Sequence, residues 1–248
     1  MKTALITGAS SGIGQQLALD YANEGWQVYA CGQNQQRLQQ LAIDVVPTAA
    51  GNITPLIFDV TDADQTQQVL SQLEVLPELI ILNAGTCEYI DEGVIDSDLF
   101  KRVFGVNFFG ILHCLEAMQD RFTAATHLVI ISSSAAYTAL PRAEAYGASK
   151  AAVSYLSNGL ALDLKQKVKA VTLVSPGFVA TPLTNKNDFP MPMIVSCEYA
   201  SERIRRGIIA QKSEIHFPQK FTLLLKAIAL LPVAAQQAII YRMTRKAS

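Results

Sequence analysis

Tyr146 and Lys150 stand four residues apart in Tyr146-Gly147-Ala148-Ser149-Lys150, so on a helix their side chains share a face. A tyrosine ordinarily ionises near pH ~10, too high to exchange protons readily at neutrality. An ammonium beside the phenol favours the phenolate and lowers that value, and a pKa moved toward the working pH suits a general acid/base. A surface Tyr–Lys pair is the plain alternative. The second chemistry-bearing stretch is Thr7-Gly8-Ala9-Ser10-Ser11-Gly12-Ile13-Gly14. Here Gly8 permits a tight turn, Gly12 lets backbone approach a pyrophosphate, and Gly14 lets the next helix pack closely. The helix N-terminus that follows offers N–H groups and partial positive charge to a phosphate. The spacing is GxxxGxG rather than GxGxxG, and a glycine turn that holds no ligand is its alternative.

Such residues need strands and helices to position them. Short apolar runs at Thr3–Thr7, Gln27–Cys31, Leu56–Phe58, Leu79–Leu82, His127–Ser132, Ala170–Val174 and Glu214–Phe217 read as strands, mostly covered on both faces. Amphipathic stretches alternate with them. Ile13, Leu17, Tyr21 and Ala22 share one face of the first, which Gly25 closes. Asp62 and Asp64 stand where a helix over 65–73 should begin, and longer helices are expected over 98–120 and 145–166. This alternation predicts an α/β fold: a doubly wound, Rossmann-type parallel sheet of about seven strands with helices on both faces. We expect one domain over 1–248, with a core over 1–217 and an apolar helical extension over 218–248. Thr184–Pro192, with Asn, Lys, Asp and two prolines, reads as a mobile loop.

The 248 residues carry a net charge of −1 without a basic run, which gives no reason to expect a nucleic-acid partner. Cys31, Cys87, Cys114 and Cys197 lack metal spacing, so no metal is expected and they read as small apolar side chains in a reducing compartment. The N-terminal strand passes straight into a glycine loop with no signal-peptide pattern, so the expected location is cytoplasmic.

Taken in order, Thr7–Gly14, Asn83-Ala84-Gly85, Asn107, Ser133, Tyr146 to Lys150 and Pro176-Gly177 resemble the short-chain dehydrogenase/reductase family over residues 3 to about 182. The resemblance implies an oxidoreductase that passes a hydride between a nicotinamide dinucleotide and a carbonyl or alcohol. Tyr146 would be its acid/base and Lys150 would lower the phenol's pKa. Ser133, thirteen residues before Tyr146, would hold the substrate oxygen; strand alternation points its neighbours Ser132 and Ser134 elsewhere. Asn107, among Phe104, Phe108 and Phe109, needs a partner. It is either a buried structural residue or, as the family pattern suggests, part of a water relay to Lys150. The resemblance also implies cofactor contacts at Gly8, Ser10, Ser11, Gly12, Ile13, Gly14, Asp59, Val60, Asn83, Ala84, Gly85, Tyr146, Lys150, Pro176, Val179 and Thr181. Where the family often has a further asparagine, this chain has Leu82.

The second strand ends in Ala30-Cys31-Gly32-Gln33-Asn34, with no acid to hold a ribose 2′-OH or repel a 2′-phosphate. Ser10, Ser11, Gln33 and Asn34 could donate to that phosphate, with Arg37 nearby. NADP is therefore favoured, with NAD as the alternative. Thr86, Cys87, Leu140, Arg142, Phe178 and the loop 184–197 with Met191 and Met193 are expected to form a largely apolar substrate pocket. The resemblance also implies a homodimer or homotetramer through the helices over 98–120 and 145–166. The tail Phe221–Ile240 is nearly all apolar, but Lys226 and Pro232 interrupt it and Arg242, Arg245 and Lys246 follow. It reads as a core or subunit-interface helix pair hinged at Pro232, or as a peripheral membrane contact. Two competing functions are a 3-oxoacyl carrier-protein reductase and a dinucleotide-sensing protein without turnover. The first calls for a basic docking patch that is not plain here. Against the second, Ser133, Tyr146, Lys150 and Asn107 are all present.

Overall fold

A computed structural model of the protein describes residues 1–245, and the side chain of Arg245 is left out. Lys246, part of the basic end read from the sequence, lies outside the described residues. Strand and helix alternate in the order β1 (Thr3–Thr7), α1 (Gly12–Asn23), β2 (Gln27–Gly32), α2 (Gln35–Ile43), β3 (Asn52–Ile57), α3 (Ala63–Ser71) and β4 (Leu79–Leu82). Next come α4 (Ser97–Phe104), a π-helical turn (Gly105–Phe109), α5 (Gly110–Met118), β5 (His127–Ile131), α6 (Glu144–Asp163) and β6 (Ala170–Pro176). The chain continues through α7 (Cys197–Ile209), β7 (Glu214–Phe217), α8 (Gln219–Ala229) and α9 (Val233–Arg245).

The seven strands form one parallel sheet in the order β3-β2-β1-β4-β5-β6-β7. Strand order reverses between β1 and β4, which opens a crevice at their carboxyl ends. One layer of core packs α1, α2 and α7 on the sheet through Leu17, Tyr21, Leu38 and Ile204; the other uses Leu70, Leu115, Met118 and Val153 from the opposite helices. β4 and β5 are buried along their whole lengths, which explains their unbroken apolar runs.

Three elements differ from the sequence reading. β3 begins at Asn52, not Leu56. It pairs only with β2, and at such an edge polar residues and Pro55 are tolerated, which hides the strand from an apolar count. The helix over 98–120 is α4, the π turn and α5 in succession. The helix expected over 65–73 starts at Ala63, because Asp62 caps it by accepting from the Gln65 amide at 2.9 Å.

The tail forms two helices on either side of Pro232, as the hinge reading expects. Phe221, Leu225, Ile228 and Ile240 make a small core of their own against Tyr137, Leu140 and Phe178. No described helix is long and apolar enough to cross a membrane.

Candidate active site

The end of β1 is locked to the end of β4 by Thr7 and Asn83. Thr7 Oγ1 accepts from the amides of Asn83 and Ala84 at 2.9 and 3.0 Å, and Asn83 Nδ2 donates to the Thr7 and Gly8 carbonyls at 3.0 and 3.3 Å. Gly8 and Gly12 have φ of 65° and 61°, a backbone region that a side chain opposes. A Cβ on Gly14 would stand 2.4 Å from the Gly8 carbonyl oxygen, so α1 can start this close to the loop only with glycine there. Ser11 caps α1 in an extended conformation without using its side chain, and the first turn carries no acid. The helix thus presents an amide-rich, positively polarised end to the crevice.

The cleft over this end has a volume of about 370 Å³. Of the residues expected to hold a dinucleotide, Gly8, Ser10, Ser11, Gly12, Ile13, Gln33, Val60, Asn83, Ala84, Gly85, Tyr146, Lys150, Pro176, Val179 and Thr181 line it. Two do not. Gly14 is spent on packing, and the Asp59 carboxylate turns into its own loop, accepting from the Thr61 amide at 2.8 Å. The sequence reading missed Phe58, Val106 and Leu183 on the wall. Arg37 is exposed and absent from the lining.

Lys150 is buried, and its Nζ donates to the Ile131 carbonyl at 3.0 Å. Asn107, fully buried in the π turn, accepts from the Thr86 amide at 2.7 Å and donates to the Thr86 carbonyl at 3.0 Å and to Ser149 Oγ at 2.9 Å. The side chain of Asn107 therefore fits the structural reading. Its oxygen and Lys150 Nζ still converge: a Cβ on Gly85 would lie 3.3 and 3.4 Å from them. Ser132 turns away to the Lys150 carbonyl and Ser154 Oγ, both at 2.8 Å.

The electrostatics differ from the sequence expectation. Burial pushes Tyr146 up to about 12, partly offset by a hydrogen bond from Ser133. Burial lowers Lys150 to about 8. The Lys150 ammonium is 6.0 Å from the centre of the Tyr146 ring, and desolvation of both groups outweighs the attraction that the i,i+4 spacing suggests.

A second cavity, of about 800 Å³, adjoins the cleft. Ser133, Tyr146, Gly177, Leu183 and Thr184 line both and form the wall between them. The expected Cys87, Leu140, Arg142, Phe178 and Met191 line this cavity, whereas Thr86 and Met193 do not. Phe189 of the expected loop lines it too, whereas Tyr89 and the tail residues Phe221, Leu225, Ile240 and Met243 also line it and were missed. For the tail the usable signal was its nearly continuous apolarity, which demanded something to cover. The loop after Thr184 is fastened at the rim. Arg142 bridges Asp91 at 2.8 Å and Asp188 at 2.6 Å. Tyr89 donates to Asn187 Oδ1 at 2.9 Å and meets the Phe189 ring edge-on. Among the described residues no cluster of side chains could hold a metal ion.

A family model described as short chain dehydrogenase matches residues 2–190. An uncharacterized oxidoreductase of Myxococcus xanthus (strain DK1622) is 33% identical over 236 residues, covering 93% of each chain. Among solved structures, a short-chain dehydrogenase from Sphingobium yanoikuyae in complex with NADPH aligns with a TM-score of 0.81 at 23% identity, over 92% of this chain and 93% of that one. A short chain dehydrogenase/reductase from Burkholderia phymatum in complex with NAD aligns with a TM-score of 0.80 at 21% identity, over 91% and 92%. The chain belongs to the short-chain dehydrogenase/reductase family, a class of NAD(P)-dependent oxidoreductases. A nicotinamide dinucleotide fits the cleft, since the glycine loop leaves room where any Cβ would intrude and aims amides at a phosphate.

Proposed function

We propose that the protein passes a hydride between NADP(H) and a largely apolar carbonyl or alcohol substrate, with Tyr146 as general acid/base. The observation that carries this reading is the position of Ser133 and Tyr146 on the wall shared by the cleft and the apolar cavity. A group there can touch a molecule on either side. A dinucleotide held by the glycine loop and the cleft wall would supply or take up the hydride. In reduction Tyr146 Oη delivers a proton to the substrate oxygen, while the Ser133 hydroxyl donates a hydrogen bond to the same oxygen. Lys150 stabilises the phenolate left behind, and Asn107 ties Thr86 to Ser149 beside that lysine. Oxidation of an alcohol runs the same proton path backwards.

Tyr146→Phe keeps the ring and removes the proton. Turnover should fall by about 10²–10⁴-fold while dinucleotide affinity, read by titration, stays within a few-fold. Retained turnover in that variant would remove Tyr146 from the mechanism. The preference for NADP is supported by Ser10, Gln33 and Asn34 on the cleft wall at the end of β2, where no carboxylate stands. A higher kcat/KM with NADH than with NADPH would reverse it. We further propose that the protein is cytoplasmic and forms a homodimer or homotetramer, the assembly being supported by Phe109, Tyr155 and Leu162, which are exposed on the π turn and α6.

A further inference from the structure

The outer side of α8 and α9 has no role in the chemistry above. On α8, Lys220, Leu223, Leu224 and Ala227 recur at three- and four-residue steps and are exposed, so they form one face, and Leu230 and Leu231 in the turn after it are exposed as well. Phe221, Leu225 and Ile228 occupy the opposite, buried face. The exposed apolar surface is substantial: Leu223 is 53% and Leu230 89% exposed. On α9, Val233, Ala234, Ala238 and Arg242 are likewise exposed.

Charge is sorted in the same way. All 21 Asp and Glu residues lie in residues 1–214, where Lys and Arg number fifteen. Residues 215–248 hold five cations (Lys220, Lys226, Arg242, Arg245, Lys246) and no acidic side chain. Of these, Lys226 is paired with Glu214 at 2.5 Å, whereas Lys220 and Arg242 are exposed. We propose that the outer face of α8 and α9 docks the protein on an anionic membrane surface. Apolar side chains flanked by cations match the layering of an acyl boundary beneath acidic headgroups. A second copy of the chain fits this face poorly, because residues 215–248 hold no acidic side chain to pair with its cations.

Flotation of the full chain with vesicles tests this without any need for turnover, so it stands or falls separately from the hydride chemistry. Truncation at Pro218 would strip the cavity of its wall, and surface substitutions are therefore used. The protein should float with phosphatidylcholine vesicles containing about one-third phosphatidylserine, and about tenfold less with phosphatidylcholine alone or in high salt. Leu223→Gln with Leu230→Gln, and separately Lys220→Glu with Arg242→Glu, should each cut flotation by about tenfold or more. Melting temperature and sedimentation should not change. No flotation of the unsubstituted protein overturns the proposal, as does flotation indifferent to both variants. A fall in oligomeric mass in the leucine variant also overturns it, by showing that a second copy covers the face.

Discussion

The dinucleotide cleft and the substrate cavity share a wall and are built by opposite means. The cleft is made mostly of backbone at the ends of buried parallel strands, where Gly8, Gly12 and Gly14 permit close approach and Thr7 and Asn83 tie two strand ends together. The cavity is made of side chains from loops and from two helices outside the sheet. A backbone cradle fixes which residue types can form it, whereas a side-chain cavity only fixes a volume to be filled. The first is therefore uniform in what it can hold, and the second can be reshaped one residue at a time.

That contrast can be broken by variants on either side. Leu225→Ala empties part of the small core beneath the cavity and should lower stability by about 2–5 kcal/mol. It should raise KM for a bulky substrate and leave dinucleotide affinity unchanged; an equal loss of dinucleotide affinity would show that the two sites are not separable. Gly14→Ala forces a methyl against the Gly8 carbonyl, a strain of about 1–3 kcal/mol. It should weaken dinucleotide binding by about tenfold to a hundredfold, measured by titration, and unaltered affinity would mean that the close contact does not shape the cradle.

The smallest effect probes the shared wall. Burial lowers Lys150 from 10.5 to about 8, so between these values the unfolded chain holds a proton that the folded chain lacks. Stability should then rise with pH from about 8 to 10.5, and the penalty of burying the ammonium is fully present below pH 8. Lys150→Met removes that penalty. Below pH 8 it should melt higher by about 2–4 °C, and the gap should close as pH climbs toward 10. A gap that stays constant would mean the ammonium is not destabilised by burial.

The same contrast governs what could be read in advance. β1, β4 and β7 lie where their apolar runs place them, and the glycine loop and the Ser133–Tyr146–Lys150 constellation gather on one cleft. Local constraint made these visible. β3 was blurred because an edge strand tolerates Asn52, Thr54 and Pro55. Asp59 stands off the cleft lining, its carboxylate accepting from the Thr61 amide in its own turn. The raised pKa of Tyr146 was hidden because spacing along a helix says nothing about how deeply both groups are buried. The tail's place over the cavity was hidden for a related reason: apolarity demands a cover without saying which surface supplies it.

The residues lining the cleft end at Thr184, whereas the cavity draws on the chain as far as Thr244. Polypeptides leave the ribosome from their N-terminus at roughly 5–20 residues per second. Every piece of the cofactor cradle thus exists several seconds before the last side chain that closes the substrate chamber. A translation product released just after β7 would carry all the parts for gripping a dinucleotide and have no finished room for anything to be reduced.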